Sequence, residues 1–243
     1  MPVRRARAFL AGVSRSLRNR RQPPLPAYGP VSAATPIISL PVLVFDCETT
    51  GLDVACDRIV SVGGVRMQGP HIVRDNTIDR LVDPQRPIPA RSTAIHGITD
   101  AMVADADPFP AHWPELEAAM RDTVLVGHNI AFDIAHLRRA AHRAGIAWRP
   151  PPALDTMLLA AVLEPRAGSV EFEAVAARFG VSVRGRHTAL GVSLVAAEIF
   201  ARLIPRLAER KVTNLGEATA FRWRAKAFVR RQRAAGWFDE PTD

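Results

Sequence analysis

Short apolar runs between residues 42 and 78 predict β-strands. Residues 42–45 form a fully apolar run of β-forming side chains, which is typical of a buried central strand. Residues 58–67 and 71–78 are two further strand-like segments, and Gln68-Gly69-Pro70 between them is a turn signal. This region therefore predicts one buried strand followed by a hairpin.

Helical spacing dominates the chain after residue 109. Residues 110–121 and 131–144 predict two helices on either side of a buried strand at residues 124–126. Gly145 is expected to end the second helix because glycine readily adopts the left-handed conformation found there.

Two further helices are predicted in the last third of the domain. Ser169 is expected to cap a helix that ends at Gly180, and residues 187–203 predict a long helix that ends near Pro205. Strands followed by helices that alternate with strands indicate an α/β fold, with a mixed sheet covered by helices.

The net charge of +8 is distributed unevenly along the chain. Residues 1–45 carry +7, residues 46–201 carry −4, and residues 202–233 carry +8 before an acidic end. Five prolines between residues 23 and 36 indicate a stiff connector. We therefore predict three parts: a basic, proline-rich arm (1–37), a central domain (38–205) and a basic helical extension (206–243).

Several classes of protein are excluded by simple counts. The longest apolar run, residues 157–163, is far shorter than the roughly 20 residues that a membrane-spanning helix needs. Two cysteines, Cys47 and Cys56, provide no disulfide framework. The first arm lacks the hydrophobic stem of a secretory signal, so a cytoplasmic protein is predicted. The arginine-rich character of that arm leaves import into an organelle as an alternative.

Two carboxylates mark the end of the first predicted strand. Asp46 and Glu48 share one face of a strand, whereas Cys47 points to the other face. Paired carboxylates repel each other when they lose hydration, and a hard divalent cation such as Mg²⁺ or Mn²⁺ is their natural counter-ion. The alternative is a strand-end pair that is fully solvated.

A second polar cluster follows the strand at residues 124–126. In the His128-Asn129-Ile130-Ala131-Phe132-Asp133 segment, Asp133 falls in the first turn of the next helix. A carboxylate there can simply stabilise the positive end of the helix dipole. That explanation does not account for the whole combination of polar residues after a strand.

The two clusters resemble the first two motifs of the DEDDh 3′–5′ exonucleases, a family that includes the proofreading epsilon subunit of bacterial DNA polymerase III. The matching segments are residues 46–51 (DCETTG) and 128–133 (HNIAFD). Residues 186–191 (RHTALG) resemble the opening of the third motif, and residues 92–99 (STAIHGIT) resemble a segment near the substrate nucleotide. The resemblance covers about residues 40–204. It implies an RNase H-like fold with a mixed five-stranded sheet, in a bacterial cytoplasmic protein.

The resemblance also implies a reaction and a set of site residues. Hydrolysis at the 3′ end would release nucleoside monophosphates with the help of two Mg²⁺ or Mn²⁺ ions. Asp46, Glu48 and Asp133 would hold the metal ions, and His187 would be the general base. The expected substrate contacts are Thr49, Thr50, Gly51, His96, Asn129 and Phe132, although core packing is an alternative role for Phe132. Single-stranded DNA 3′ ends and a DNA polymerase are the expected partners.

Val192 departs from the family pattern. It stands five residues after His187, where the family has its last carboxylate. Neither Ser193 nor Glu198 is a convincing substitute, because one is a poor cation ligand and the other lies about 9 Å further along a helix. The sequence therefore supports two hypotheses: an exonuclease with a reduced set of ligands, or a catalytically weak module that binds nucleic acid or a polymerase.

The basic extension has an amphipathic pattern. Residues 218–234 place Phe221, Ala225, Phe228 and Val229 on roughly one helical face, with arginines around it. Such a helix can pack on the domain with its arginines solvated. Its arginines can also contact phosphates and supply salt-sensitive affinity for nucleic acid.

Overall fold

The computed structural model describes residues 30–183 and 188–237. Its centre is a five-stranded sheet with the strand order β3-β2-β1-β4-β5. β1, β2 and β3 are antiparallel neighbours, and β4 and β5 run parallel to β1. The strands are β1 (Pro41–Thr49), β2 (Ile59–Gln68), β3 (His71–Leu81), β4 (Val124–Gly127) and β5 (Ala153–Asp155). The predicted mixed five-stranded α/β fold is confirmed.

Helices cover both faces of this sheet. In chain order, those of the described residues are α1 (Ala90–His96), α2 (Asp100–Val103), α3 (Phe109–Met120), α4 (Ile130–Arg143), α5 (Thr156–Leu163), α6 (Phe172–Arg178), α7 (Ala189–Glu209), α8 (Leu215–Arg222) and α9 (Lys226–Ala234). A single 3₁₀ turn, Ile37–Ser39, precedes β1.

The alternation of side chains along β1 divides the core into two layers. Val42 and Val44 face a cluster that contains the buried side of α7. Leu43 and Phe45 face the opposite cluster, which contains α3 and the buried side of α4. Because both faces are covered, β1 is apolar at every position before Asp46, as the sequence pattern predicts.

The predicted hairpin and the helices around β4 are confirmed to within a few residues. The cap predicted at Ser169 is wrong. Its Oγ accepts a hydrogen bond from the backbone N–H of Glu171 in a turn, and the helix begins only at Phe172. The end predicted near Pro205 is also wrong, because α7 continues to Glu209. The burial of Leu207 in the core favours this continuation over the loss of one backbone hydrogen bond at the proline.

The single helix predicted over residues 218–234 is divided into α8 and α9. Phe221 in α8 packs into the main core, whereas Ala225 and Val229 pack against Leu158 in a separate cluster. The two apolar faces point to different partners, so the chain turns between Arg222 and Lys226. The expectation that this segment packs its apolar face on the domain is confirmed.

The segment after residue 205 is part of the same folded body as the sheet. The boundary predicted between residues 205 and 206 falls inside α7, and Leu207, Leu215 and Phe221 belong to the core cluster beneath β1. Residues 33–37 also bind residues 213–216 through three backbone hydrogen bonds. The predicted start at residue 38 therefore omits a part of the folded domain.

No helix in the described ranges combines the length and apolar character needed to cross a membrane. Cys47 is buried, Cys56 is exposed, and both are free thiols.

Candidate active site

A cleft of about 240 Å³ opens where the carboxyl ends of β1 and β4 meet the N-terminal turns of α4 and α7. The residues that line it come from four separate parts of the chain. They are Asp46, Cys47, Glu48, His128, Asn129, Phe132, Asp133, Phe172 and Val192. The structure thus brings the first two predicted carboxylates together with Asp133, and it places Val192 beside them.

The three carboxylates are arranged by β1 and α4. Asp46 and Glu48 are half-buried on one face of β1, while Cys47 between them is buried on the other face. Asp133 lies in the first turn of α4 and accepts a hydrogen bond at Oδ1 from the backbone N–H of Cys47, at 2.9 Å. This bond fixes the Asp133 carboxylate against the strand, next to both residues that flank Cys47.

A glycine in β2 determines where α7 begins. Gly63 pairs with Asp46 across the sheet, and a Cβ atom at position 63 would lie 2.1 Å from the backbone of Ala189. Ser193 Oγ donates a hydrogen bond to the Gly63 carbonyl oxygen at 3.0 Å. The first turns of α7 therefore rest directly on β2 beside Asp46, and this close approach brings Val192 into the cleft.

The electrostatics of the cleft disfavour negative charge. Burial, together with the charges of Asp133 and Glu48, raises the pKa of Asp46 well above its ordinary value. Burial also raises the pKa of Asp133 to about 7, although its hydrogen bonds from Cys47 act in the opposite direction. The three carboxylates repel one another, and a bound cation would relieve that repulsion.

The donor chemistry fits a hard divalent cation, but the set of donors is small. Asp46 and Glu48 offer the carboxylate oxygens that Mg²⁺ and Mn²⁺ prefer. Asp133 already uses Oδ1 for the Cys47 N–H, and Val192 offers no donor atom. Within residues 30–183 and 188–237, no three histidine, cysteine or acidic side chains are grouped as a metal-binding cluster. The strand pair is therefore the part of this site that suits a metal ion.

The end of β4 forms the opposite side of the cleft. His128 Nδ1 lies 3.1 Å from Thr156 Oγ1, and His128 Nε2 lies 3.0 Å from the Val170 carbonyl oxygen. Both ring nitrogens therefore have partners, and burial lowers the pKa of this histidine. Its ring also contacts Phe172 edge-on, with the centroids 5.1 Å apart. His128 holds this side of the cleft in shape through these contacts.

Asn129 occupies a strained position at the start of α4. Its backbone is left-handed, with φ 63°, and its N–H donates to Asp155 Oδ1 at 3.0 Å. The same Asp155 oxygen caps α5 by accepting from the N–H of Met157. Asp155 thus supports the turn that presents Asn129 to the cleft.

Comparison with known proteins decides the family. Residues 43–200 match the exonuclease family of the RNase T type. The chain belongs to this exonuclease family. It is 42% identical over 187 residues to a DNA polymerase III subunit epsilon-like protein of Rhodobacter capsulatus, covering 76% of this chain and 26% of that protein. It is 33% identical over 177 residues to a PolC-type DNA polymerase III of Thermotoga maritima, covering 72% of this chain and 13% of the polymerase. The exonuclease chain thus spans about a quarter or less of the length of these relatives.

Solved exonuclease structures share the fold. Exonuclease X in complex with 5′ overhanging duplex DNA is 27% identical with a TM-score of 0.58, covering 74% of this chain and 99% of that protein. Exonuclease I of E. coli in complex with a dT13 oligonucleotide is 16% identical with a TM-score of 0.62, covering 71% of this chain and 42% of that protein. The predicted RNase H-like exonuclease fold is confirmed.

In this exonuclease domain, the turn after β1 is held from within. Thr49 Oγ1 donates to the Gly51 carbonyl oxygen at 2.6 Å, and Thr50 Oγ1 donates to Asp57 Oδ1 at 2.7 Å. A Cβ atom on Gly51 would lie 2.4 Å from Asp57 Oδ2, so a larger residue there would displace the Asp57 carboxylate. The two threonine hydroxyls and Gly51 stabilise the turn, and their contact with substrate stays a prediction.

His96 also lies outside the cleft lining. It is buried in α1, and its Nδ1 accepts a hydrogen bond from the backbone N–H of Ile98 at 3.0 Å. Ser92 in the same helix donates to the Thr50 carbonyl oxygen, so α1 packs behind the turn. The contact of His96 with the nucleotide stays a prediction.

The predicted general base, His187, lies outside the described residues. Of the other predicted contacts, Asn129 and Phe132 do line the cleft. Phe172 and the C-terminal contacts of Asn129 were missed. Phe172 begins a helix in a segment that has no recognisable motif. Asn129 and its C-terminal partners are too far apart in sequence for a local pattern to connect them.

His136 is predicted to lower the folding stability of the exonuclease domain in acid. It is 2% exposed on α4, its ring contacts Phe132, and burial lowers its pKa from 6.5 to about 4. Between those two pH values the unfolded chain binds more protons than the folded one. His136 therefore contributes stability above pH 6.5 that is lost as the pH falls towards 4, and the full effect is about 3 kcal/mol. Urea unfolding at a series of pH values measures it.

His136→Phe is the matched variant, because it keeps a ring beside Phe132 and cannot be protonated. Its free energy of unfolding should fall about 2 to 3 kcal/mol less between pH 7 and pH 4.5 than that of the unchanged protein. Parallel pH profiles would show that His136 does not titrate differently in the folded state.

Proposed function

We propose that this chain is a metal-dependent 3′–5′ exonuclease domain that acts on single-stranded DNA ends and is slowed by Val192. The observation that carries the proposal is the convergence of Asp46, Glu48 and Asp133 in one cleft, from two elements 86 residues apart in sequence. Membership of an exonuclease family supports hydrolysis as the reaction.

Each residue of the cleft has a proposed duty. Asp46 and Glu48 would hold Mg²⁺ or Mn²⁺, with Asp133 beside them, and His187 would accept a proton from the attacking water. A divalent cation supplies positive charge where the phosphodiester gains negative charge during hydrolysis. The Cys47 N–H keeps Asp133 against β1.

The remaining cleft residues suit the nucleotide. Phe132 presents part of an aromatic ring, and Asn129 presents a side-chain amide. An aromatic face accepts any base, and an amide can bond to sugar or phosphate oxygens. These two residues would hold the terminal nucleotide while the carboxylates face the scissile phosphate.

DNA is proposed as the substrate because the solved relatives hold DNA. One is in complex with 5′ overhanging duplex DNA and another with a dT13 oligonucleotide. The names of the curated relatives, which are DNA polymerase III proteins, support a polymerase as the partner.

A second candidate function follows from Val192. An apolar side chain lies where the family places its last carboxylate, and no three-residue metal cluster occurs among the residues described. These observations favour a domain that recognises a DNA end, or a polymerase, without efficient hydrolysis.

A strand-polarity assay separates the two candidates. Single-stranded DNA labelled at its 5′ end is incubated with the protein in Mg²⁺, Mn²⁺ or EDTA. An exonuclease of the proposed type gives a ladder that shortens from the 3′ end and releases nucleoside monophosphates only with metal. DNA that is bound but stays intact supports the binding module. Shortening from the 5′ end would contradict the proposed direction.

The exposed arginines of α9 are proposed to bind the DNA backbone. Three arginines are exposed on α9: Arg230, Arg231 and Arg233. Trp237, which follows this helix, contacts Phe132 in the cleft. Replacing all three with glutamine should weaken binding of single-stranded DNA most at low salt. The slope of log affinity against log salt should fall by about 2, since each phosphate contact on a single strand contributes about 0.7. Fluorescence anisotropy at several salt concentrations measures the slope.

A charge-matched variant provides the control. Arg74, Arg202 and Arg206 are ion-paired with Glu198 or Glu164, so their replacement by glutamine removes the same charge elsewhere. An equal change of slope in both variants would mean that net charge, and not the position of α9, determines the affinity. Deleting residues 206–243 is a poorer test, because it removes buried Leu207 and Phe221.

A further inference from the structure

The last described segment, residues 226–237, reaches the nucleotide side of the cleft. α9 is docked by Ala225 and Val229, which pack against Leu158 of α5. Beyond this apolar contact, Gln232 and Trp237 each touch a residue of the cleft lining. The segment lies outside residues 43–200, which match the exonuclease family.

Gln232 holds the side chain of Asn129. It is 2% exposed, and its Nε2 donates to Asn129 Oδ1 at 2.7 Å and to Asp155 Oδ2 at 3.0 Å. The Asn129 backbone N–H is bound to the other oxygen of Asp155. Backbone and side chain of Asn129 are therefore fixed by the same pair of residues.

This hydrogen bond also selects which end of the Asn129 amide faces a ligand. Because Oδ1 accepts from Gln232, the amide offers its Nδ2 donor to the cleft. A donor at this position suits an oxygen acceptor on a nucleotide, such as a phosphate or sugar oxygen. Without Gln232 the amide could rotate and present its oxygen, which would repel the same groups.

Trp237 contacts and holds the ring of Phe132. The two rings are in edge-to-face contact, with centroids 5.3 Å apart at 75°. Phe132 also contacts His136 on its own helix, with centroids 4.4 Å apart. The Phe132 ring is thus held from two sides where it lines the cleft.

The Gln232 side-chain nitrogen joins two acceptors, Asn129 Oδ1 and Asp155 Oδ2. The Oε1 atom of Gln232 is buried without a hydrogen-bond partner among the described residues, which is unfavourable. Asp155 Oδ1 is already bound by backbone N–H groups from Asn129 and Met157, but its Oδ2 accepts from Gln232. A methionine could fill the same space but would leave Asp155 Oδ2 and Asn129 Oδ1 without this donor, so the amide serves both acceptors.

We propose that Gln232 and Trp237 are positioning residues for nucleotide binding: Gln232 orients the Asn129 amide, and Trp237 fixes the Phe132 ring. The C-terminal segment thereby completes the substrate side of the cleft. This inference rests on the proposed function of the same site.

A double-mutant cycle tests the link between Gln232 and Asn129. The probe is a fluorescent oligothymidylate whose 3′-terminal linkage is a phosphorothioate, and binding is measured by anisotropy in Mg²⁺. Gln232→Met should weaken binding about fivefold when Asn129 is present and less than about twofold in an Asn129→Ala background. Trp237→Leu should show the same dependence on Phe132, measured against Phe132→Ala.

Val229→Ala is the control for simple loosening of α9. It removes apolar contact with Leu158 and leaves Gln232 in place, so it should lower the melting temperature without changing affinity well below that temperature. Equal losses from Gln232→Met in both backgrounds, or an equal loss from Val229→Ala, would overturn the positioning role and leave the proposed function intact. Failure of the unchanged protein to bind the probe would overturn both.

Discussion

Replacement of Val192 with aspartate is expected to raise the rate of metal-dependent 3′-end hydrolysis by about 10²- to 10³-fold, the range associated with a single group that stabilises charge in a transition state. α7 rests on Gly63 of β2, and this places residue 192 in the cleft beside Asp46. A carboxylate at position 192 supplies the oxygen donor that valine lacks, beside the carboxylates already in the cleft. Initial rates of nucleotide release in Mg²⁺ and Mn²⁺ measure the gain.

Two variants make this result specific. Val192→Asn adds a polar group of similar size without charge, and it should give a much smaller gain. Val192→Asp should also lower the melting temperature in EDTA, because it brings another negative charge to Asp46 and Asp133. A variant that binds metal but hydrolyses no faster would argue against the proposed mechanism for the whole site.

Replacement of Asp46 with asparagine is expected to reduce metal-dependent hydrolysis to the background rate while stabilising the metal-free protein. Asp46 is one of two strand carboxylates suited to a cation, so its loss removes half of that pair. Its negative charge is opposed by burial and by the neighbouring Asp133 and Glu48. Removing that charge should raise the free energy of unfolding in EDTA at neutral pH.

The paired measurements are hydrolysis rate and urea unfolding of the same preparation. Asp75→Asn provides the control, because Asp75 is an exposed carboxylate of β3 and should change neither quantity. Hydrolysis that survives in Asp46→Asn would place the catalytic site elsewhere in the molecule.

Local patterns were sufficient for the elements that carry the carboxylates. The apolar run before Asp46 and the period of two along β1 predict that Asp46 and Glu48 share a face. Asp133 follows a buried strand and begins a periodic helix, so its place in the first turn of α4 is also readable. These features depend on neighbours within a few residues.

The features that were wrong or missed depend on contacts between distant segments. The turn at residues 223–225 arises because Phe221 and Val229 pack against different clusters. The Thr50 hydroxyl is directed inward by its hydrogen bond to Asp57. The orientation of the Asn129 side chain depends on Gln232, which is 103 residues away. No periodicity or capping rule encodes such pairings, since they exist only after the sheet and helices have packed.

The pairing of residues 33–37 with residues 213–216 sets the size of the piece that can be moved between proteins. A graft limited to residues 43–200 would leave behind Ile37, Leu207 and Phe221, whose side chains cover one layer beneath the sheet. The chimera would contain the carboxylates, but the apolar layer beneath the sheet would be exposed to solvent. A chimera that keeps this fold must contain the chain from about residue 30 to residue 237 as one continuous segment.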